Sequence, residues 1–381
     1  MKHVSMSLAG AVVIVLLWAG AVSARTLTVA VNGVDGDRCG TSAVPCRSVS
    51  QAIRLALPGD TIVVGPGRYG DLSFNATFGE PGDESASADC RCMILINKRV
   101  TLVSRDGAFS TVLDAAGISA GFDVVRITAG GAIFGRRRQG FTIVNGGGAG
   151  VAVVAGADGT RTTDVHVEGH VVTRNGAGLR IDADTSSILG NMVIANDGDA
   201  VTVDGSGNQI VRTVAIANGQ GVSTRADQTA FRDNAVLANT GPGFLVEAAS
   251  ASAYTRNVVV GNRFGFYMPL ATDLGGVPAI RSSDILGNLG DAIATGMTTI
   301  ATGNNIVGNG AAFADGIASG DHCGVFVDQG WTLAATQNYW GDRLGPTAPN
   351  ADHSCSAANA TVVPFRATEF RYSEGPRDLV P

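Results

Sequence analysis

A repeat between His170 and Asn309 constrains the fold of this 381-residue chain more than any other feature. Each unit closes with an asparagine, and a few residues later a small residue opens a short strand. Most units have 21 to 23 residues and one has 26, with closing asparagines at Asn175, Asn196, Asn218, Asn239, Asn262, Asn288 and Asn309. A fixed period of this size, made of strands and turns without helices, indicates a solenoid.

Alternating side chains in the short strands predict which residues point into the solenoid. In the strand at 178–182, Leu179 and Ile181 are expected to point inward, whereas Arg180 and Asp182 point outward. The following coils repeat this pattern, so parallel stacking would place equivalent residues about 4.8 Å apart. The sequence therefore predicts an all-β protein whose aliphatic side chains stack inside.

The repeat resembles the right-handed parallel β-helix of the pectate-lyase-like superfamily over roughly residues 48–346. The resemblance implies a single-stranded right-handed parallel β-helix with three strands per coil and a stack of asparagines at one tight turn. The residues at the stacking position would be Asn191, Asn234, Asn257 and Asn304, with His170, Thr213 and Ser283 as departures. The resemblance also favours carbohydrate as the ligand, although a fold alone does not imply a function.

The chain divides into four predicted segments. They are a signal peptide at 1–24, an N-terminal loop segment at 25–47, the β-helix with its N-terminal cap at 48–346, and a C-terminal tail at 347–381. Lys2, the apolar run at 8–19 and the small residues at 22–24 match a cleaved export signal. An uncleaved membrane anchor is the alternative, but the apolar run is shorter than the ~20 residues that span a bilayer. We therefore expect a secreted or periplasmic protein whose mature chain has no integral membrane segment.

A short helix is predicted at the start of the β-helix. Ser48 and Gln51 have the spacing of a capping box, and apolar residues at helical spacing follow until Pro58. The first coil of a β-helix otherwise exposes its strand edges and its apolar end. The helix therefore resembles the N-terminal cap of the superfamily.

Six cysteines indicate disulfide bonds. An even number of cysteines in an exported chain favours disulfides, and Cys39–Cys46 and Cys323–Cys355 are the expected pairs because each brackets an irregular segment. Cys90 and Cys92 are expected to be too close in the chain for an easy mutual bond. A zinc site is the alternative, but no Cys-x-x-Cys pair is present and histidine is rare.

The charge of the chain limits its partners. The formal net charge is −6, and phosphate neutralisation needs a basic surface, so nucleic acid is not expected as a partner. We expect a monomer, since the solenoid can bury a long core within one chain.

The candidate chemistry lies in two rows of outward residues. Each row is formed by equivalent positions of one strand in successive coils. The first row is Asp182, Asp204, Arg225 and Glu247, and the second is Arg180, Thr202, Ser223, Leu245 and Tyr267. Two carboxylates on adjacent coils repel each other, so one of Asp182 and Asp204 is expected to have a raised pKa and to act as a general acid or base. We therefore predict catalytic roles for Asp182, Asp204 and Arg225.

Substrate binding is predicted for the neighbours of this pair. Arg180 or Arg225 is placed to neutralise a uronate carboxylate, Tyr267 to stack on a sugar ring, and Glu247 to contact the substrate. In the superfamily, catalytic residues commonly lie on the outer face of the strand after the longer turn, and the resemblance gives this strand that position. The chain departs from the Ca²⁺-binding aspartates and catalytic arginine of pectate lyases and from the motifs of polygalacturonases. The alternative is a solvated ladder of alternating charges.

A second constellation precedes the regular coils. If 164–168 forms one strand, Asp164, His166 and Glu168 point outward together, and His166 and Glu168 are candidate ligands of a divalent metal. His170 lies round a turn at the asparagine-stack position, so joint ligation with His166 is not expected. A run of three arginines at 136–138 fits either an anion-binding patch or a solvated outer face.

Three functions are compatible with these residues. The first is a secreted lyase, hydrolase or epimerase acting on polysaccharide, the second a non-catalytic glycan-binding or adhesive protein, and the third a structural envelope component. The sequence shows no requirement for a cofactor, and Ca²⁺ is the ion left open. A raised pKa at Asp182 or Asp204 would favour the enzyme, whereas a flat, charge-balanced face would favour the structural role.

Overall fold

The computed structural model describes residues 23–71, 75, 78, 80, 82–85, 90–116, 121–156, 158–269, 272–310, 323–356 and 358–371. Most of the predicted signal peptide and the last ten residues of the predicted tail lie outside this part of the chain. In the part that is described, no helix has the length and apolar character needed to cross a membrane.

The chain winds through three parallel sheets, which we call sheets 1, 2 and 3 in the order that each coil visits them. The strands of sheet 1 are Thr26–Val29, Thr61–Val64, Thr101–Ser104, Ile133–Phe134, His166–Glu168, Ser187–Leu189, Gln209–Val211, Ala230–Arg232, Ala253–Thr255, Ala279–Arg281, Thr299–Thr302, Leu333–Ala334 and Ala360–Thr361. Those of sheet 2 are Gly67–Gly70, Thr111–Asp114, Thr142–Val144, Val171–Thr173, Met192–Ile194, Val214–Ile216, Ala235–Leu237, Val258–Val260, Asp284–Leu286 and Asn305–Val307.

Sheet 3 is the third side of every coil. Its strands are Cys92–Ile96, Asp123–Ile127, Ala149–Val153, Ala177–Asp184, Asp199–Asp204, Gln220–Thr224, Phe244–Val246, Phe266–Met268, Ile293–Thr295, Cys323–Val327 and His353–Ser354, with Thr162–Thr163 pairing beside Ala177–Asp184. A separate pair joins Ala248–Ala249 to Thr272–Asp273. The predicted right-handed parallel β-helix with three strands per coil is confirmed.

The interior follows the predicted alternation. Leu179 and Val201 are paired in register and fully buried, and the equivalent positions of the later coils hold aromatic rings. Phe244 stacks on Phe266 with centroids 4.7 Å apart, and on sheet 1 Phe231 stacks on Tyr254 at 4.8 Å. Parallel stacking places like side chains above one another, so the core is a set of aliphatic and aromatic columns along the solenoid.

The predicted cap is the helix Val49–Leu55. Ser48 is its N-cap, and the Ser48 hydroxyl accepts the Gln51 backbone N–H at 3.1 Å. The reciprocal half of the capping box does not form, because the Ser48 N–H donates to Asp35 at 3.0 Å instead. The Glu84 carboxylate also accepts the Val49 N–H at 2.7 Å, and its burial raises its pKa. The loop segments on both sides therefore satisfy the first N–H groups of the helix.

The sheets extend beyond the predicted limits of 48 and 346. Thr26–Val29 pairs with Thr61–Val64 as the first strand of sheet 1, and Ala360–Thr361 is its last strand. Trp340 is fully buried near the C-terminal end. Segments that look irregular in the sequence thus complete both ends of the solenoid.

Three disulfides hold the irregular segments. They join Cys39 to Cys46, Cys323 to Cys355, and Cys90 to Cys92. The expectation that Cys90 and Cys92 are too close to bond is wrong. Arg91 between them has a φ of 49°, and the two Cα atoms lie 5.2 Å apart, within the span of a disulfide.

An unbroken asparagine ladder runs along the turn between sheets 2 and 3. Its members are the closing residues Asn175, Asn196, Asn218, Asn239, Asn262, Asn288 and Asn309, and each side-chain N–H group donates to the next side-chain oxygen at 2.8–3.1 Å. The stack predicted between sheets 1 and 2 is interrupted, with amide contacts from Asn234 to Asn257 and from Asn304 to Asn338. The stack that the resemblance predicted, between sheets 1 and 2, is therefore shorter than the ladder between sheets 2 and 3.

Candidate functional site

The outer face of sheet 3 brings together the predicted catalytic row. Asp182 pairs in register with Asp204, and the Arg225 N–H donates to the Val203 carbonyl one coil below. The strands are parallel and have no bulge here, so the outward side chains of adjacent coils stand side by side. The predicted order Asp182, Asp204, Arg225 is present on the surface.

Ion pairs neutralise much of this row. Arg161, which lies beside the first strand of the row, hydrogen-bonds to Asp182 and lies 3.8 Å from Asp184. Arg225 pairs with Glu247 at 3.1 Å. Arg161 is a partner that sequence periodicity missed, because it lies in a turn outside the regular repeat.

Asp204 keeps an unusual environment within the row. Partial burial raises its pKa, and the Asp182 charge raises it further, whereas the guanidinium groups of Arg225 and Arg161 lower it. Burial is the largest of these effects, so Asp204 titrates above an ordinary aspartate. The catalytic roles of Asp182, Asp204 and Arg225 stay predictions.

Arg180 is committed to a buried carboxylate. Its guanidinium lies 3.2 Å from Asp123, which Arg126 contacts at 2.6 Å and which also accepts the Ala149 N–H at 2.9 Å. Asp123 is 2% exposed as a side chain, whereas Arg180 is 44% exposed. Arg180 can therefore reach a ligand only while it shares its charge with Asp123, a partner two coils away that the sequence did not reveal.

The C-terminal half of the second row is apolar. Ser223, Leu245, Tyr267, Ala294 and Phe326 follow one another in register on successive coils. Tyr267 is 39% exposed and Phe326 is 40% exposed. The row thus changes from polar to aromatic along the solenoid.

The Tyr267 ring is part of an aromatic pair. Phe264 stacks against it with centroids 5.3 Å apart and an interplanar angle of 24°. Gly290 lies under the Phe264 ring, since a Cβ there would meet the ring at 2.7 Å. The pair forms a firm flat surface on the outside of sheet 3, which we call the aromatic platform.

Two carboxyl groups beside these rows were not predicted. Asp199 lies one coil from Gln220 in register, and its partial burial raises its pKa. Asp291 precedes the strand Ile293–Thr295, and its burial raises its pKa to about 6 with no hydrogen-bond partner among the described residues. Asp199 is the first residue of its strand and Asp291 lies two residues before the next one, both at the edge of the alternating pattern, so periodicity gave no signal for them.

The second constellation lies on the outer face of sheet 1. His166 Nε2 is 2.8 Å from Glu168 Oε2, and both residues are half-buried. The strand is His166–Glu168 alone, and Asp164 lies in a turn with a φ of 56°. The condition of one strand over 164–168 is not met, because the chain bends at Asp164 before the strand begins, but all three side chains line one pocket.

A pocket of about 600 Å³ opens over this pair. Its lining includes Arg136, Arg137, Asp164, His166 and Glu168. We call it the arginine pocket. The arginine run and the His166–Glu168 pair belong to different coils. Only the stacking of one coil on the next brings them into one cavity.

His170 is a core residue and not a ligand. Its Nδ1 accepts the Phe141 N–H at 3.1 Å, its Nε2 donates to the Phe134 carbonyl at 2.9 Å, and its ring stacks on Phe134 with centroids 4.1 Å apart. Burial lowers its pKa to about 4, so the imidazole is neutral. Both ring nitrogens are occupied, in keeping with the expectation that His170 does not share a metal with His166.

Metal ligands do not converge in the described residues. One group of three candidate ligands occurs there, Asp35 with Cys39 and Cys46, and both of these cysteines are in a disulfide. The side chains of His166 and Glu168 supply two donor groups with two arginines beside them. Metal binding at His166 and Glu168 stays a prediction.

Two solved structures have the same fold as this protein. A pectate lyase, Pel9A, matches with a TM-score of 0.55 and 16% identity over 92% of this chain and 82% of that chain. A rhamnogalacturonan lyase matches with a TM-score of 0.51 and 14% identity over 92% of this chain and 90% of that chain. Identities this low show the fold alone, and the fold is that of the pectate-lyase-like right-handed β-helices.

The family follows from the sequence of the regular coils. The model of a family described as "Periplasmic copper-binding protein (NosD)" matches residues 131–342. This match covers more than half of the chain, so the protein belongs to the NosD family. A sequence search of the curated proteins found no match.

Proposed function

We propose that this protein binds polysaccharide along the outer face of sheet 3. The observation that carries the proposal is the aromatic platform of Phe264 and Tyr267 beside a row of charged and hydroxyl side chains. A sugar ring has an apolar face that packs on an aromatic ring and hydroxyl groups that need hydrogen-bond partners. The two rows supply both on neighbouring coils.

Binding accounts for the charged row better than catalysis does. Asp182 is paired with Arg161, and Glu247 with Arg225, so acids and bases alternate along the face. A row of this kind recognises hydroxyl groups while keeping little net charge. A catalytic role in hydrolysis or elimination would fall to Asp204, because a raised pKa suits a general acid or base.

Copper is the ligand that the family description suggests. Thiolate, thioether and imidazole groups are the preferred copper ligands. The six cysteines form three disulfides, and the imidazole of His170 is buried with both nitrogens bonded. His166 has only Glu168 as a neighbouring donor within contact, and the one group of three histidine, cysteine or carboxylate donors in the described part of the chain contains two disulfide-bonded cysteines, so these donors do not fit a copper site. No step of the proposed function depends on the metal.

The family description also bears on location. It names a periplasmic protein, and the N-terminal sequence has the pattern of an export signal. We place the mature protein in the periplasm or outside the cell, where it meets envelope or extracellular polysaccharide.

The test is affinity electrophoresis of the mature protein in gels that contain acidic or neutral polysaccharides. Retardation by at least one polysaccharide is expected, and Tyr267→Ala should weaken binding about tenfold, as loss of a central stacking residue does. Phe109→Ala is the matched control, because Phe109 is 72% exposed and lies away from sheet 3. Equal loss in both variants, or no retardation by any polysaccharide, would contradict the proposal.

Catalysis is tested on the same polysaccharides. Unsaturated-uronate absorbance and reducing ends are measured with and without Ca²⁺, beside an Asp204→Ala variant. Turnover that disappears in Asp204→Ala would make the protein an enzyme centred on the Asp182–Asp204 pair. Binding without turnover is the expected result.

A further inference from the structure

The arginine pocket owes its wall to an enlarged turn. In the coils that follow, the chain passes from sheet 1 to sheet 2 through two residues, as at 169–170 and 190–191, whereas the corresponding turn here spans 135–141. The extra residues form a tight turn, with the Gln139 N–H donating to the Arg136 carbonyl at 2.8 Å. Insertions in solenoids commonly form binding walls, and this one stands beside the His166–Glu168 strand.

The turn is held firmly against its neighbours. The Ser104 N–H donates to the Gln139 carbonyl at 3.0 Å, and the Gly135 N–H donates to the Leu102 carbonyl at 2.8 Å. Gly169 lies against the Arg136 carbonyl, where a Cβ would come within 2.7 Å. The pocket therefore has a fixed wall and does not depend on a loose loop.

The two arginines in the wall carry uncommitted charge. Arg161 and Arg225 each pair with an acid, whereas Arg136 and Arg137 have no acidic group within ion-pair distance in the described part of the chain. Guanidinium groups bind carboxylate and phosphate groups through charge-assisted hydrogen bonds. Asp164 and Glu168 line the same cavity, so a ligand there needs an anionic group for the two arginines and hydroxyl donors for the two acids.

The floor of the pocket supplies groups for hydroxyls. His166 and Glu168 use one nitrogen and one oxygen for their mutual hydrogen bond. His166 Nδ1 and Glu168 Oε1 have no partner among the described residues, so each can bind a hydroxyl group of a ligand. A volume of about 600 Å³ lies in the range of small-molecule sites.

We infer that the arginine pocket binds a small hydroxylated carboxylate, of the size of a uronic or aldonic acid. Arg136 and Arg137 hold the carboxylate, and His166 and Glu168 hold hydroxyl groups. The site lies on sheet 1 and is separate from the polysaccharide face of sheet 3. It uses the pair predicted as metal ligands for a different chemistry.

Isothermal titration calorimetry with D-galacturonate, D-galactose and inorganic phosphate tests the inference. Galacturonate is expected to bind and galactose is not, because only the acid engages the arginines. Arg136→Ala/Arg137→Ala should weaken galacturonate binding by at least about tenfold. Arg281→Ala/Arg343→Ala is the matched control, since it removes two exposed arginines elsewhere and should bind galacturonate as the unmodified protein does.

Glu168→Gln separates the two halves of the site. Removing a negative charge should strengthen phosphate binding, whereas galacturonate binding should strengthen less, because the mutation also removes a charged acceptor of its hydroxyl groups. Failure of galacturonate to bind, equal binding of galactose, or unchanged affinity in Arg136→Ala/Arg137→Ala would overturn the inference. Phosphate binding tighter than galacturonate binding would also overturn it and leave a plain anion site. Binding of Cu²⁺ or Ca²⁺ in the absence of galacturonate, lost in Glu168→Gln, would overturn it in favour of the metal interpretation. None of these results depends on Tyr267, so the outcome is distinct from that of the sheet 3 test.

Discussion

Replacing Asn218 by alanine in the middle of the ladder should destabilise the β-helix severely. The Asn218 side chain donates to the Val193 carbonyl at 3.0 Å, to the Ile216 carbonyl at 3.0 Å and to the Asn239 side chain at 3.1 Å. Its Oδ1 accepts both the backbone N–H and the side-chain N–H of Asn196 at 3.0 Å. Asn218 itself is buried. Five hydrogen bonds therefore disappear with one side chain.

The magnitude follows from the groups that are left without partners. The Asn196 backbone N–H and the Val193 carbonyl have buried positions in the turn, and a buried polar group without a partner costs about 1–3 kcal/mol. The Asn239 side-chain oxygen still accepts the backbone N–H of Asn218 in the variant, so the cost at Asn239 is smaller. We expect the free energy of unfolding to fall by about 3–5 kcal/mol.

Urea unfolding followed by circular dichroism measures this change, and amide hydrogen exchange at Asn196 locates it. Asn350→Ala is the control, because Asn350 is exposed and surface substitutions commonly stay within about 0.5 kcal/mol. A loss below about 1 kcal/mol in Asn218→Ala, with unchanged exchange at Asn196, would refute the view that the ladder is a continuous structural support.

Three further changes test other buried groups. Thr213 interrupts the second stack with a hydroxyl that has no partner among the described residues, so Thr213→Asn should raise the free energy of unfolding by about 1 kcal/mol in the same urea assay, and a loss of stability would contradict the register of that stack. The pKa of His170 is lowered from 6.5 to about 4, so the folded state binds fewer protons than the unfolded state between these values; stability should fall by up to about 3 kcal/mol as pH drops through that window, and His170→Gln should abolish this slope. The pKa of Asp291 is raised from 3.8 to about 6, which gives the opposite sign: stability should fall as pH rises from 4 to 6, and Asp291→Asn should gain up to about 3 kcal/mol at neutral pH. These two slopes oppose each other, so each variant is compared with the unmodified protein by urea unfolding across pH 4–8, and an unchanged profile in either variant would contradict its assignment.

The fold was predictable because a solenoid repeats one local rule. Leu179 faces the core and Arg180 faces solvent for the same reason in every coil, since strand side chains alternate and coils stack in register. The outward row of Asp182, Asp204 and Arg225 followed from this rule. Cys90–Cys92 did not, because its formation depends on a positive φ at Arg91 that no periodic pattern encodes.

The candidate sites were predictable only where the repeat is regular. Arg161, Asp123 and Asp291 act at turns or across two coils, so spacing within one strand gave no sign of them. Spacing within one strand gave no sign of the arginine pocket either, because an enlarged turn there meets the His166–Glu168 pair of the next coil.

The sequence by itself determined the solenoid, its stacked parallel coils, its core columns and the outward rows, because these depend on side-chain alternation and a constant period, while the three strands per coil followed from the resemblance to the superfamily. Only the tertiary structure decided which charges neutralise one another, which asparagines form the unbroken ladder, and where a cavity opens. Those features depend on contacts between coils and on the directions of irregular turns. Ion pairing and cavity shape arise from distances between residues that are remote in the chain, and a local pattern does not contain those distances.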